Sequence, residues 1–270
     1  MAAAPAGMLG RRPESDGRRQ GRADRGHGRR DGRRPARLAP VGRFLAVGAL
    51  SMIGMLTLAH SLGMPAAGLL TAGTSFAVAT ALFAVLLSRR HPHRRLGAAN
   101  VVTVIRMAVV ALLLGVVAAF DSFADVAVVL TLGAGTIALI LDGVDGYLAR
   151  RQRTVSAFGA SFDMEVDAAF GLVLALLAMH GPAGAIALLL GLPRYLFAIA
   201  AVVAPWLNGP LDERYSRKVV CVVQLIALLA LQLPILPAPL AIGLVAAAGL
   251  SLAWSFGVDV RALRRRRVPS

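Results

Sequence analysis

What most constrains this chain is a set of apolar runs, several of about 18 residues or more with few or no charges. In a bilayer every backbone N–H and C=O must be satisfied within the protein, which leaves helices and closed barrels. A barrel needs alternating segments of about ten residues, and these runs are continuous. The expected fold is therefore an all-α, polytopic membrane protein. The mean hydropathy of +0.69 and a hydrophobic content of 57% are too high for an ordinary soluble domain. Eight spans are read, over residues 44–62, 66–88, 99–119, 124–147, 160–179, 183–206, 219–233 and 239–258.

Charge orders these spans. Residues 1–43 hold 12 Arg and four acids with many Gly and Pro, the composition of a disordered arm. The arm reads either as a polybasic segment drawn to anionic lipid or nucleic acid, or as a plain topology anchor. It lacks the apolar stretch of a signal peptide. Of the 29 Lys and Arg residues, 27 fall in this arm, in alternate loops or in the tail over 260–270. The loops over 61–65, 121–124, 180–184 and 234–239 carry no Lys or Arg. The positive-inside rule then puts both termini in the cytoplasm, which an even number of spans requires.

The two remaining charges, Arg106 and Arg194, lie inside spans, where a cation costs several kcal/mol unless it is paired or hydrated. Arg106 is about two turns from the cytoplasmic end of its helix, within reach of the headgroups by snorkelling. Arg194 follows Pro193 and is expected deeper. Cys221, the only cysteine, forms no internal disulfide and is expected simply to pack.

Against this apolar background, residues 142–167 read DGVDGYLARRQRTVSAFGASFDMEVD, with five carboxylates. Asp142 and Asp145 are three apart, on one helix face at the cytoplasmic end of the fourth span. Asp163 and Asp167 are four apart, on one face near the start of the fifth, with Gly159 one turn earlier. Glu165 lies off that stripe. A short basic loop joins the two helices, so the two pairs face each other at the membrane boundary. Four carboxylates cannot converge in a low dielectric without neutralisation, by protons or, better, by divalent cations. Hard oxygen ligands suit two Mg²⁺ or Mn²⁺ ions, and the lack of His or Cys in the stretch argues against zinc. Such a pair suits displacement at a phosphoanhydride phosphorus. Gly146 and Gly159 permit close approach of a substrate, and Arg150 reaches for a phosphate oxygen. Salt bridges between the Asp residues and the loop arginines account for one or two acids only.

The spacing Asp-x2-Asp-Gly-x2-Ala-Arg-x8-Gly-x3-Asp-x3-Asp resembles the signature of the CDP-alcohol phosphatidyltransferases. It is carried by Asp142, Asp145, Gly146, Ala149, Arg150, Gly159, Asp163 and Asp167. Asn100, Thr103 and Arg106 resemble the Asn-x2-Thr-x2-Arg pattern that opens the family's first core helix. Residues 214–218 resemble its basic loop, without the usual Gly-Lys-x-Lys-Thr. The resemblance covers residues 99–259 and implies a six-helix catalytic core, preceded by two extra helices and a basic linker over 44–98.

It further implies that Asp142, Asp145, Asp163 and Asp167 ligate metal, with Asp167 also the general base. Gly146, Ala149, Arg150 and Gly159, with Asn100 and Thr103, cradle the cytidine diphosphate. The implied reaction is attack of an alcohol on a CDP-lipid such as CDP-diacylglycerol, with release of CMP, at the cytoplasmic face of the inner (plasma) membrane. Arg106, Arg194, Arg214 and Lys218 are candidates for binding a phosphate on the acceptor, and Arg194 is alternatively a structural partner to an acid. A homodimer is implied by resemblance alone, and no nucleic acid partner is expected. The rival reading is a cation transporter with the Asp cluster as its ion site, which expects broken helices and acids near the midplane.

Overall fold

A computed structural model describes residues 35–90, 97–152, 157–209 and 214–267. Among these it is helical throughout, with no strand. Helix α1 runs Pro35–Ser61, α2 Ala66–Arg90, α3 Ala98–Gln152 and α4 Ala157–Ala178. A 3₁₀ turn over Gly184–Ala187 leads into α5 (Leu188–Gly191) and α6 (Pro193–Val203). A second 3₁₀ turn, Pro205–Asn208, precedes α7 (Tyr215–Ala230) and α8 (Ala238–Arg267). Helix α1 takes in the last residues of the expected disordered arm, and the rest of that arm lies outside the described residues.

Each expected span has a helical counterpart, with three differences. The expected loop over 121–124 keeps helical hydrogen bonding, so two arms, Ala98–Ala124 and Val126–Val144, belong to one α3. They still fold back on each other. A straight helix from 106 to 142 would be about 54 Å long, yet Arg106 and Asp142 lie 3.0 Å apart.

The expected single span over 183–206 is broken between Gly191 and Pro193, where α5 and α6 meet at 53°. Pro193 has no N–H to donate into the preceding turn, and its ring excludes a continuous helix. The carbonyl of Leu190, exposed at the break, accepts a 2.6 Å hydrogen bond from Gln224 Nε2 on α7. Broken helices persist at membrane depth only where neighbours satisfy the freed backbone in this way. Gly191 makes the packing possible, since a Cβ there would sit 3.1 Å from Leu172 Cα and 2.6 Å from Ala175 Cβ.

The third difference concerns length. Among the described residues five helical segments are long and apolar enough to cross a membrane, and the bent pair, counted as one span, makes a sixth. Helix α7 has only 16 residues, and α4 carries three acids in its first half.

The core lies where α3 and α4 pack together, and α1 and α2 close over one side of it. The α2–α3 crossing is backbone to backbone: a Cβ on Gly115 would lie 2.6 Å from the Gly68 oxygen. Small residues at such crossings let helices gain dispersion contact where the bilayer offers no hydrophobic drive. Further along, Phe162 of α4 is fully buried among Phe44 of α1, Phe83 of α2 and Phe158, with ring centroids 5.8, 4.4 and 5.9 Å away. Each aromatic pair adds about 0.5–1.5 kcal/mol beyond its burial. The two extra helices are thereby fastened beside Asp163, the residue after Phe162.

Three of the loops read as lacking basic residues meet at one end of the bundle. Phe120 stacks on His180 at 3.8 Å, and a cavity of about 270 Å³ there is lined by Phe120, Val128, His180, Leu231 and Pro234. Gln232 donates to the Leu174 carbonyl nearby, at 2.9 Å.

Candidate functional site

The first arm of α3 places Asn100, Thr103 and Arg106 inside the bundle, all buried. Thr103 satisfies its hydroxyl on the Ala99 carbonyl at 3.0 Å. Among the described residues Arg106 is the most buried charged side chain, 1% exposed. The second arm carries Asp142 in its last turns, and α4 carries Asp163 and Asp167 one turn apart. These elements meet at Arg106. Its Nη1 donates to Asp163 Oδ1 at 2.6 Å, and its Nη2 pairs with Asp142 Oδ1 at 3.0 Å and with Asp167 Oδ1 in a short ion pair.

This adds a cation to the sequence reading of charge. The carboxylates were expected to need protons or divalent cations, and Arg106 was expected at the headgroups or on an acceptor phosphate. In the structure Arg106 pairs with three of the acids, and its single positive charge leaves an excess of acid among them. A guanidinium presents several donors in a fixed fork, which suits one side chain to bridging carboxylates.

One oxygen from each of Asp142, Asp163 and Asp167 lies within 4.8 Å of the others. The three side chains are 26, 37 and 36% exposed, so the cluster is open to an ion from solution. An all-carboxylate donor set fits a hard divalent cation, provided that it shares or takes oxygens now held by Arg106. Asp145, Gly146, Ala149 and Arg150 continue the same helix over its last turns. Their side chains lie outside the described residues. Gly159 sits one turn before Asp163 on α4.

Glu165 points away from this cluster and bonds Arg194 Nη2 at 2.6 Å. Arg194 was expected deep within a continuous span. It is instead the second residue of α6, immediately after the break, and 33% exposed. Of the two roles left open for it, the structure shows it paired with an acid.

The basic loop before α7 divides in two. Arg214 and Arg217 converge on Asp259 of α8 at 3.4 and 3.0 Å, and Arg214 also lies over the Trp254 ring at 6.0 Å. Lys218 is exposed. Sequence reasoning named the basic loop over 214–218 but passed over Asp259. A buried acid at the end of the last span, 8% exposed, was the available signal.

Fold and site together define a helical integral membrane protein with a cluster of carboxylates drawn from two helices. Residues 96–258 match the family model for CDP-alcohol phosphatidyltransferase, and the chain belongs to that family. It is thus a phosphotransferase of phospholipid biosynthesis that acts on a CDP-alcohol. Neither a search of curated proteins nor one of solved structures finds a match. Helices α1 and α2 lie outside the matched residues. Membership displaces the transporter reading. The broken helix which that reading expects is present, but it carries Arg194, paired with Glu165 of α4, and not the carboxylate cluster.

Proposed function

We propose that the protein transfers a phosphatidyl group from a CDP-lipid, CDP-diacylglycerol in the first instance, to an alcohol acceptor, with release of CMP. The observation that carries this reading is the convergence of Asp142, Asp163 and Asp167 from two helices to within 4.8 Å. With Asp145 they would hold Mg²⁺ or Mn²⁺. Divalent cations bound there would offset the diphosphate charge and polarise the phosphoryl group under attack.

The chain's own residues supply the rest. Asp167 accepts the proton of the acceptor hydroxyl as its oxygen attacks the lipid-linked phosphorus. The bond from that phosphorus to the bridging oxygen breaks, and CMP leaves with the electron pair. Gly146, Ala149, Arg150 and Gly159 cradle the cytidine diphosphate, and Asn100 and Thr103 support it from the first arm of α3. Arg214, held by Asp259, with Arg217, suits a phosphate on the acceptor, since paired guanidiniums recognise phosphate well. Lys218 and Arg194 are further candidates for that contact. The lipid chains stay in the bilayer while the headgroups meet at the cytoplasmic face of the inner membrane. The functional unit is a homodimer.

The test is CMP release from CDP-diacylglycerol by purified protein in detergent, with Mg²⁺ or Mn²⁺ and a panel of acceptor alcohols. Release with one acceptor, lost in Asp167→Asn and on chelation, is the expected result. No release and no metal-dependent binding of a CDP-lipid would end the reading.

A further inference from the structure

We infer that Arg106 is the resident counter-cation of the carboxylate site, and that a divalent cation must displace its guanidinium in order to load. The inference rests on the proposal that these carboxylates hold metal.

Three observations support it. Arg106 uses both terminal nitrogens on the ligand oxygens, Nη1 on Asp163 and Nη2 on Asp142 and Asp167. Those are the three residues whose oxygens lie close enough together to hold one ion. The side chain is also 1% exposed, whereas the acids it binds are 26 to 37% exposed. The positive charge therefore comes from inside the bundle and the open side of the cluster faces out. An incoming cation meets acids that one guanidinium already holds from behind, with negative charge to spare.

The physical consequence is linkage. A bound guanidinium and a bound cation compete for the same oxygens, so each weakens the other by the same factor. The device has two effects. It holds the second arm of α3 and α4 in register before any ion is present, because three like charges would otherwise push the two helices apart. It also lowers the affinity of the site for divalent ions. Once displaced, the guanidinium remains beside the ligands as a fixed positive charge, placed to face the phosphoryl oxygens of a substrate bound there. Arg106 in this account positions ligands and sets cation affinity.

The experiment is Mn²⁺ binding, read as free Mn²⁺ by electron paramagnetic resonance, on the full chain in detergent at pH 8 without substrate. Wild type, Arg106→Gln and Arg106→Lys are compared. Removing the competing charge should tighten Mn²⁺ binding roughly 5- to 150-fold in Arg106→Gln, the usual range for a coupling between two bound groups. Arg106→Lys should fall between the two, since an ammonium keeps the charge but not the fork. Thermal unfolding gives a second readout: Mn²⁺ should raise the melting temperature of Arg106→Gln by more than that of wild type.

Mn²⁺ binding that is unchanged or weaker in Arg106→Gln, with wild type binding normally, overturns the inference and leaves the proposed function standing. If Arg106→Gln does not yield monodisperse protein, Arg106→Lys decides alone, and binding weaker than wild type overturns it. No Mn²⁺ binding by any of the three proteins removes both this inference and the metal reading beneath it. Binding seen in Arg106→Gln but not in wild type is the strongest form of support.

Discussion

Arg106 and Arg194 both fall inside expected spans, and the two sides of α4 have made them different. Asp163 and Asp167 share one face of that helix, and Arg106 meets them from within the bundle together with Asp142. Glu165, two residues from each, projects from the other side, where Arg194 meets it singly and in part exposed. Helical geometry separates these faces, because residues two apart do not look the same way. One arginine is outnumbered by its partners and buried. The other is matched one to one. An excess of acid over base leaves a site with unspent negative charge that can take a cation. A balanced pair leaves none and reads as a brace for the break at Pro193.

The comparison is broken most severely at Asp167. Asp167→Asn should lower CMP release by about 10²- to 10⁴-fold or more, since it removes a proton acceptor and a ligand together, as a coupled assay of free CMP would show. A loss below about tenfold would move the base elsewhere.

Next comes stability without metal. In excess chelator, Arg106→Gln should lose about 1.5–3 kcal/mol, the worth of hydrogen bonds to charged groups, because the acids it leaves are 26 to 37% exposed and partly screened by solvent; detergent-phase denaturation measures it. A loss below about 1 kcal/mol would place Arg106 on a par with Arg194 and dissolve the contrast. A neutral lesion serves as control. Gly115→Ala puts a Cβ 2.6 Å from the Gly68 oxygen and should cost about 1–3 kcal/mol by overpacking, with Mn²⁺ affinity unchanged.

The smallest effect belongs to the matched pair. Replacing Glu165 and Arg194 together by Gln should cost about 1 kcal/mol or less, because no charge is left behind. Either single replacement should cost more than the double, since it strands a charge. A selective rise in the acceptor KM in Arg194→Gln would instead move Arg194 into the acceptor pocket.

Much of this was legible in the chain, for local reasons. Apolar run length announces spans because the bilayer has a fixed thickness, and Asp142, Asp145, Asp163 and Asp167 share faces because the helix has a fixed period. Pro193 was visible too, yet the span was read through it. Whether a proline kinks or breaks a helix depends on neighbours able to satisfy the freed carbonyls, here Gln224 from another helix.

By itself, then, the sequence determined the helical membrane class, the order of the spans and the carboxylate stripes, all consequences of composition and of spacing along one helix. Only the tertiary structure decided which cation answers which acid. Arg106 lies 57 residues from Asp163 and 61 from Asp167 along the chain, and Arg217 lies 42 from Asp259. Ion pairs are chosen by distance in space, and no periodicity records which face of one helix packing will turn toward another.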